Sequence, residues 1–236
     1  MILYIVRHGD PNYANDCLTP KGKLQAQAVG KRLSVHGLDK IFVSPLGRAQ
    51  ETAQPACELM GIKPVTLDWL SESYAWSLFS KKFEDGKTRW LFARNVSDFK
   101  TEENTDINIG ESCSAPIFSD VKVAEGFADL KKNADPFFEE LGYKREGSRY
   151  KILKPNNERV AFFCHQGLGL SLLCYLLAIP PQLFWSSFDL THSSVTVLEF
   201  KNYDNGYTSP ICLQLSDTSH IYADRLPLQY NNKLDL

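Results

Sequence analysis

The chain has no C-x-x-C pair, no excess of basic charge, no internal repeat, no low-complexity tract and no uninterrupted apolar run of membrane-spanning length. Each absence excludes something. Six cysteines, at positions 17, 57, 113, 164, 174 and 212, show no paired spacing and sit largely within apolar stretches, so they read as buried free thiols rather than a disulfide framework. The expected compartment is therefore the cytoplasm. A formal net charge of -2 gives no general attraction to nucleic acid or to an anionic membrane; neither is an expected partner, and any anion binding must be local. No basic stretch precedes the short apolar run at the amino terminus, which argues against a secretion signal. Without a run of about 20 apolar residues, no membrane span is expected either.

What is present reads as α/β. The 236 residues include 43% hydrophobic types, enough to bury a full core, and are read as one domain over residues 1–236 with an insertion at about 73–119. The run Ile2-Leu3-Tyr4-Ile5-Val6 is made of strand formers and ends abruptly in Arg7-His8-Gly9. Thr19 and Pro20 then suit the start of a helix running to Gly37, with Leu24, Ala28, Val29 and Leu33 on its apolar face. A strand over residues 40–43 follows, and then a helix over 46–60 that Pro55 should kink or divide before Gly61 closes it. A third strand, 65–67, leads into a loop over 68–72.

The alternation of strand and helix predicts a three-layer α/β/α sandwich with a mostly parallel sheet. The aromatic-rich stretch from Ser73 to Ser119 is expected to be partly helical and to lie over the site. Beyond it, a helix is expected from Val121, interrupted at Pro136. Strands over 145–153 and 158–164 should flank a turn at Pro155-Asn156-Asn157. An apolar helix over 168–178, strands over 195–200 and 211–215, and a loose polar tail complete the pattern.

In open α/β sheets, ligands bind outside the carboxyl ends of the strands. Arg7 and His8 follow one strand, and His165 follows Val160-Ala161-Phe162-Phe163-Cys164 in the same manner. Arg48 lies in the first turn of the helix that follows the strand over 40–43. Two guanidiniums, two imidazoles and open helix N-termini would make a receptor for a dianion such as phosphate.

These segments carry a family resemblance. With Arg7-His8-Gly9, Leu18-Thr19-Pro20-Lys21-Gly22, Ser44-Pro45-Leu46 followed by Arg48-Ala49 and Thr52-Ala53, and His165-Gln166-Gly167, the chain resembles the histidine phosphatase superfamily, also called the phosphoglycerate mutase-like family. The stretch from Ser73 to Ser119 carries none of its motifs. The resemblance implies a metal-independent phosphomonoesterase of the histidine acid phosphatase type, with no cofactor and a small phosphorylated substrate. It makes His8 the nucleophile, places Arg7, His8, Arg48 and His165 in the phosphate pocket, gives His165 a catalytic part and makes Glu72 the proton donor.

Other residues carry less. Asp10 is read as a loop cap, Asn12 and Asn15 as second-tier substrate donors, and His36, His192 and His220 as loop or surface residues, with His192 near the rim. Trp76 and Trp90 are where an apolar substrate group would rest. Three other enzyme readings compete. A mutase-type phosphoryl transfer would need the Arg-Arg-Ser-Tyr-Asp block that this chain lacks. A cysteine phosphatase would need an arginine where Leu170 stands, and a metallophosphatase built on His8 and Asp10 would need a second ligand cluster. A non-catalytic phosphate-binding module on the same fold is the remaining alternative.

Overall fold

The computed structural model describes residues 1–93, 96–105 and 113–228. In chain order, β1 (Ile2–Arg7) is followed by the small hairpin β2 (Pro11–Asn12) and β3 (Cys17–Leu18), then α1 (Pro20–Ser34), β4 (Lys40–Val43), α2 (Gly47–Met60) and β5 (Val65–Thr66). The middle holds α3 (Glu72–Phe79), the hairpin β6 (Ser80–Lys82) and β7 (Thr88–Trp90), and the short helices α4 (Val96–Phe99) and α5 (Glu102–Thr105). Then come α6 (Val123–Glu140), β8 (Tyr143–Glu146), β9 (Arg149–Ile152), β10 (Arg159–Cys164), α7 (Gln166–Leu177) and α8 (Pro181–Trp185). The chain continues through β11 (Val195–Glu199), β12 (Tyr207–Thr208), β13 (Ile211–Asp217) and α9 (Ser219–Ala223).

Six strands form the central sheet in the order β13-β11-β1-β10-β4-β5. The pairs β1 with β10, β10 with β4 and β4 with β5 are parallel, and β11 runs antiparallel to its neighbours. Side chains alternate across this sheet as the strand period requires. Leu3, Ile5, Val160, Phe162 and Cys164 enter the core shared with the middle of the chain and α7, whereas Val6, Ile41, Val43, Ala161 and Phe163 pack against α1 and α2. The result is the expected mixed α/β fold, a mostly parallel sheet covered by helices on both faces.

Local differences have local causes. The stretch from 145 to 153 is not one strand but a β8–β9 hairpin turning at Gly147, whose φ is 62°, and it pairs with β12 in a separate sheet. Neither Pro55 nor Pro136 divides its helix. Each removes a single ladder donor, and the buried positions on both sides, Thr52, Ala53 and Ala56 in α2 and Leu130, Ala134 and Phe138 in α6, hold the helix in place. Leu24 is solvent-exposed, because the buried stripe of α1 is built from Gly22, Ala26, Ala28, Val29, Gly30 and Leu33. The loop expected at 10–18 contains the β2–β3 hairpin, and Glu72 starts α3 instead of ending a loop. Part of the polar tail is the helix α9, and residues 229–236 lie outside the described residues. So do positions 94–95 and 106–112 of the expected insertion.

Candidate active site

Parallel pairing of β1 with β10 sets Arg7 opposite Cys164, so the residues that follow, His8 and His165, leave the sheet side by side. The His8 N–H donates to the Cys164 carbonyl at 2.9 Å, and the two rings lie 5.1 Å apart. Ser44 follows β4 on the other flank of β10, where its N–H donates to the Phe163 carbonyl at 3.0 Å and its hydroxyl meets His165 Nε2 at 2.8 Å. Gly9 is required by space. A Cβ there would stand 2.7 Å from the Gly22 carbonyl oxygen at the start of α1.

His8 has a defined tautomer. Its Nδ1 lies 2.7 Å from the Gly9 carbonyl oxygen, which can only accept, so Nδ1 carries the proton and Nε2 keeps its lone pair. Burial is the main force holding the imidazole well below its ordinary pKa, and His165 and Arg7 add to it. His165 is likewise pushed well down by burial, then by Arg48 and Arg7. Both rings are neutral at physiological pH.

The buried Arg7 guanidinium donates to the Leu190 carbonyl and, from Nη2, to His192 Nε2 at 2.8 Å. Burial lowers its pKa, and Tyr13, Asp189 and Glu72 oppose that loss of charge. Arg48, also buried, follows Gly47 in the first turn of α2. Its Nη1 donates to Asp16 at 2.5 Å, while its Nε is buried and meets no hydrogen-bond partner among the described residues. His165 Nδ1 is in the same state.

Glu72 reaches this cluster from α3. Ser71 caps that helix by accepting from the Ser73 N–H at 3.1 Å, which fixes Glu72 in the first turn. The Glu72 carboxylate accepts the N–H of Gly167 at 3.1 Å and that of Leu168 at 3.3 Å, at the start of α7. Burial drives its pKa up, more than these two hydrogen bonds and the charges of Arg7 and Arg48 pull it down.

The structure thus brings Arg7, His8, Arg48, Glu72 and His165 into one cluster. It differs from the expected open helix starts. The N-cap residues of α2 and α7 are Leu46 and His165, neither of which caps its own helix, and both starts are instead met by carboxylates, Asp16 at Gly47 and Glu72 at Gly167 and Leu168.

Several neighbours escape sequence reasoning. His192 is half-buried beside the cluster, 5.4 Å from the His8 ring, with its pKa pushed down to about 3 chiefly by burial. Its neighbour Ser193 has a φ of 63° and donates its N–H to the His8 carbonyl at 3.0 Å. His220, read as a loop residue, is buried between Arg32 and Ser193. Asp10 anchors the start of α1 through Thr19 at 2.6 Å and Lys21 at 3.2 Å. Trp90 packs directly over Gly167, where a Cβ would come within 2.4 Å of its ring, and meets Trp76 edge to face at 4.7 Å.

A mostly parallel α/β sheet with a basic, histidine-containing cluster at its carboxyl edge narrows the class of fold. Within it, the chain belongs to the histidine phosphatase superfamily, branch 1, whose family model matches residues 3–209. Curated protein sequences hold no significant match. Solved structures do. A mutant of phosphoserine phosphatase from Entamoeba histolytica, in complex with phosphoserine, is 20% identical with a TM-score of 0.59 over 93% of this chain and 98% of that one. A mycobacterial glucosyl-3-phosphoglycerate phosphatase is 18% identical, with a TM-score of 0.57 over 92% and 99%. The α-ribazole phosphatase from Shigella flexneri is 17% identical, with a TM-score of 0.52 over 91% and 96%. At such identities the likeness speaks for the fold. Among the described residues, no helix is long and apolar enough to cross a membrane.

Proposed function

We propose that the protein, acting as one domain, is a phosphomonoesterase that hydrolyses a small phosphorylated substrate through a phosphohistidine at His8. The observation that carries this reading is the His8 tautomer. With Nδ1–H fixed on the Gly9 carbonyl and the ring held neutral, Nε2 is an available nucleophile between buried cationic donors. Two buried nitrogens, Arg48 Nε and His165 Nδ1, lack partners among the described residues, which suits groups that bind phosphoryl oxygens.

The chemistry follows from those positions. His8 Nε2 attacks phosphorus, the ester P–O bond breaks, and Glu72 gives its proton to the departing oxygen. Arg7, Arg48 and His165 hold the equatorial oxygens. Ser44 accepts the Leu46 N–H at 3.2 Å and can donate its own proton to His165 Nε2, leaving a proton on Nδ1 to bind the phosphoryl group. Glu72, now a carboxylate, takes a proton from water as its oxygen attacks phosphorus, the N–P bond breaks, and inorganic phosphate leaves. The residues offer this path without a metal. In particular, the Asp10 carboxylate engages Thr19 and Lys21, which disfavours a ligand pair with His8.

Transfer to a second substrate, as in a mutase, uses the same first step, but the missing Arg-Arg-Ser-Tyr-Asp block favours water as acceptor. No disulfide joins the six cysteines among the described residues, in keeping with an enzyme of the cytoplasm. The test is turnover of a chromogenic aryl phosphate by the wild type and by His8→Ala. The variant is expected to lose at least about 10³-fold in kcat/KM and all acid-labile labelling from a ³²P-phosphoester. Turnover retained in the variant overturns the mechanism. A wild type that binds orthovanadate without hydrolysing phosphoesters points to the binding module.

A further inference from the structure

Between β2 and β3 the chain makes a tight turn over residues 13–16 that no family motif covers, and it touches the cluster at several points. The Asp16 carboxylate grips the start of α2 twice: Oδ2 accepts the Gly47 N–H at 2.7 Å, and Oδ1 accepts from Arg48 Nη1 at 2.5 Å. Leu46 has no side-chain oxygen with which to cap that helix, so Asp16 supplies the cap from another element. The turn is built for this approach. Asp16 adopts a left-handed backbone, φ 47°, which aspartate tolerates better than most residues, and Gly47 leaves room for it. A Cβ at position 47 would stand 2.2 Å from the Asp16 carbonyl oxygen.

Three positions earlier, Tyr13 is 65% exposed, yet its ring lies 5.3 Å from the Arg48 guanidinium carbon and edge-on to His8 at 6.3 Å. Arg48 is therefore held by a carboxylate and an aromatic face, both from one turn. The choice of nitrogen matters. A guanidinium presents a two-pronged edge made of Nε–H and Nη2–H, suited to two oxygens of one phosphoryl group. Asp16 takes Nη1, outside that edge. Nε remains buried with no partner among the described residues.

Building on the phosphatase reading, we propose that Asp16 is a positioning residue: by clasping Nη1 of Arg48 and the first N–H of α2, it turns the Nε–Nη2 edge of Arg48 toward the phosphoryl group. An ordinary surface ion pair would have no such consequence. Here the cation is buried, with side-chain exposure of 9%, against 39% for the carboxylate, so losing the clasp frees a charged group inside the site instead of on the surface.

Orthovanadate and a chromogenic aryl phosphate serve as probes. Asp16→Asn preserves size but turns one acceptor into a donor, so it cannot satisfy both Arg48 and the Gly47 N–H; Asp16→Ala removes both contacts. Each variant is expected to raise KM for the aryl phosphate and Kd for orthovanadate together, by about tenfold, with a smaller fall in kcat. In an Arg48→Ala background, Asp16→Ala should add no further loss, because its effect runs through Arg48. The isosteric Asn variant keeps the test decisive should the Ala variant fail to fold. The proposal is overturned if both constants stay unchanged, if vanadate binds more tightly once Asp16 is gone, or if the loss is as large in the Arg48→Ala background. A wild type that neither binds vanadate nor turns over would instead remove the phosphatase reading, and the clasp with it. An active wild type with silent Asp16 variants removes the clasp alone.

Discussion

The two faces of the sheet are packed by opposite means. On the α1–α2 face, small residues let backbones approach: Ala49, Ala53 and Ala56 of α2 lie against Val29, and Gly30 of α1 leaves so little space that a Cβ there would stand 3.0 Å from the Ala56 nitrogen. On the other face, rings fill volume. Phe162 of β10 is fully buried, with Phe137 at 5.3 Å, Trp69 at 5.8 Å and Phe42 at 5.9 Å around it. The close-packed face holds α2, and so Arg48, at a fixed height over the strand ends. The aromatic face carries Glu72, Trp76 and Trp90 on elements whose positions depend on ring packing. One half of the site is thus placed by backbone contact and the other by side-chain volume.

The contrast predicts different responses. The largest stability loss belongs to removal of volume on the aromatic face: Phe162→Ala should cost about 3–5 kcal/mol, read as a shift in the denaturant midpoint at constant m. A loss under about 1 kcal/mol would mean that the rings close over the cavity and do not set the position of α3.

Glu72, held on that same face, gives the next effect. Its carboxyl is raised by burial, whereas His8, His165 and His192 are lowered. In the proposed mechanism Glu72 loses its proton as pH rises through its folded pKa, so turnover of esters with poor leaving groups should fall on the alkaline side. As pH drops below about 6.5, the depressed imidazoles stay neutral and His8 remains nucleophilic. Glu72→Gln should slow alkyl phosphates by about 10²-fold, spare aryl phosphates with good leaving groups, and erase the alkaline limb. Equal slowing of both substrate types, or an unchanged pH profile, would take Glu72 out of the acid role.

What the sequence discloses follows the same division. Strand ends are readable because an apolar period-two run stopping at Arg7-His8 or His165 can be seen in one dimension, and parallel pairing then brings those ends together. The helix starts mislead. A sequence shows that helices start near Leu46 and Leu168, but not that Asp16 and Glu72 fold back onto those starts, since the contacts cross 31 and 95 residues. His192 is hidden for a related reason: only the left-handed Ser193 beside it, bonded to the His8 carbonyl, carries it alongside the cluster from a Thr- and Ser-rich stretch. The aromatic middle has no clean period, because its rings pack on one another more than on a sheet, as Trp90 does on Trp76 and Phe92.

The smallest effect tests the close-packed face by addition instead of removal. Gly30→Ala puts a methyl group 3.0 Å from both the Ala56 nitrogen and Pro55 Cβ. Alanine is the better helix former by roughly 1 kcal/mol, so in an isolated α1 the change would stabilise. In the folded chain the opposing atoms belong to backbone and to a proline ring, neither of which can rotate away, and α2 must yield by a few tenths of an ångström. Overpacking of this kind costs about 1–3 kcal/mol, which leaves a net destabilisation of about 1 kcal/mol. The informative readout is functional, because α2 carries Arg48: KM for an aryl phosphate should rise severalfold while the ratio of alkyl to aryl turnover, assigned in the proposed mechanism to Glu72 on the other face, stays constant. If that ratio moves and KM does not, the two halves of the site are not separately placed, and the division between the faces fails.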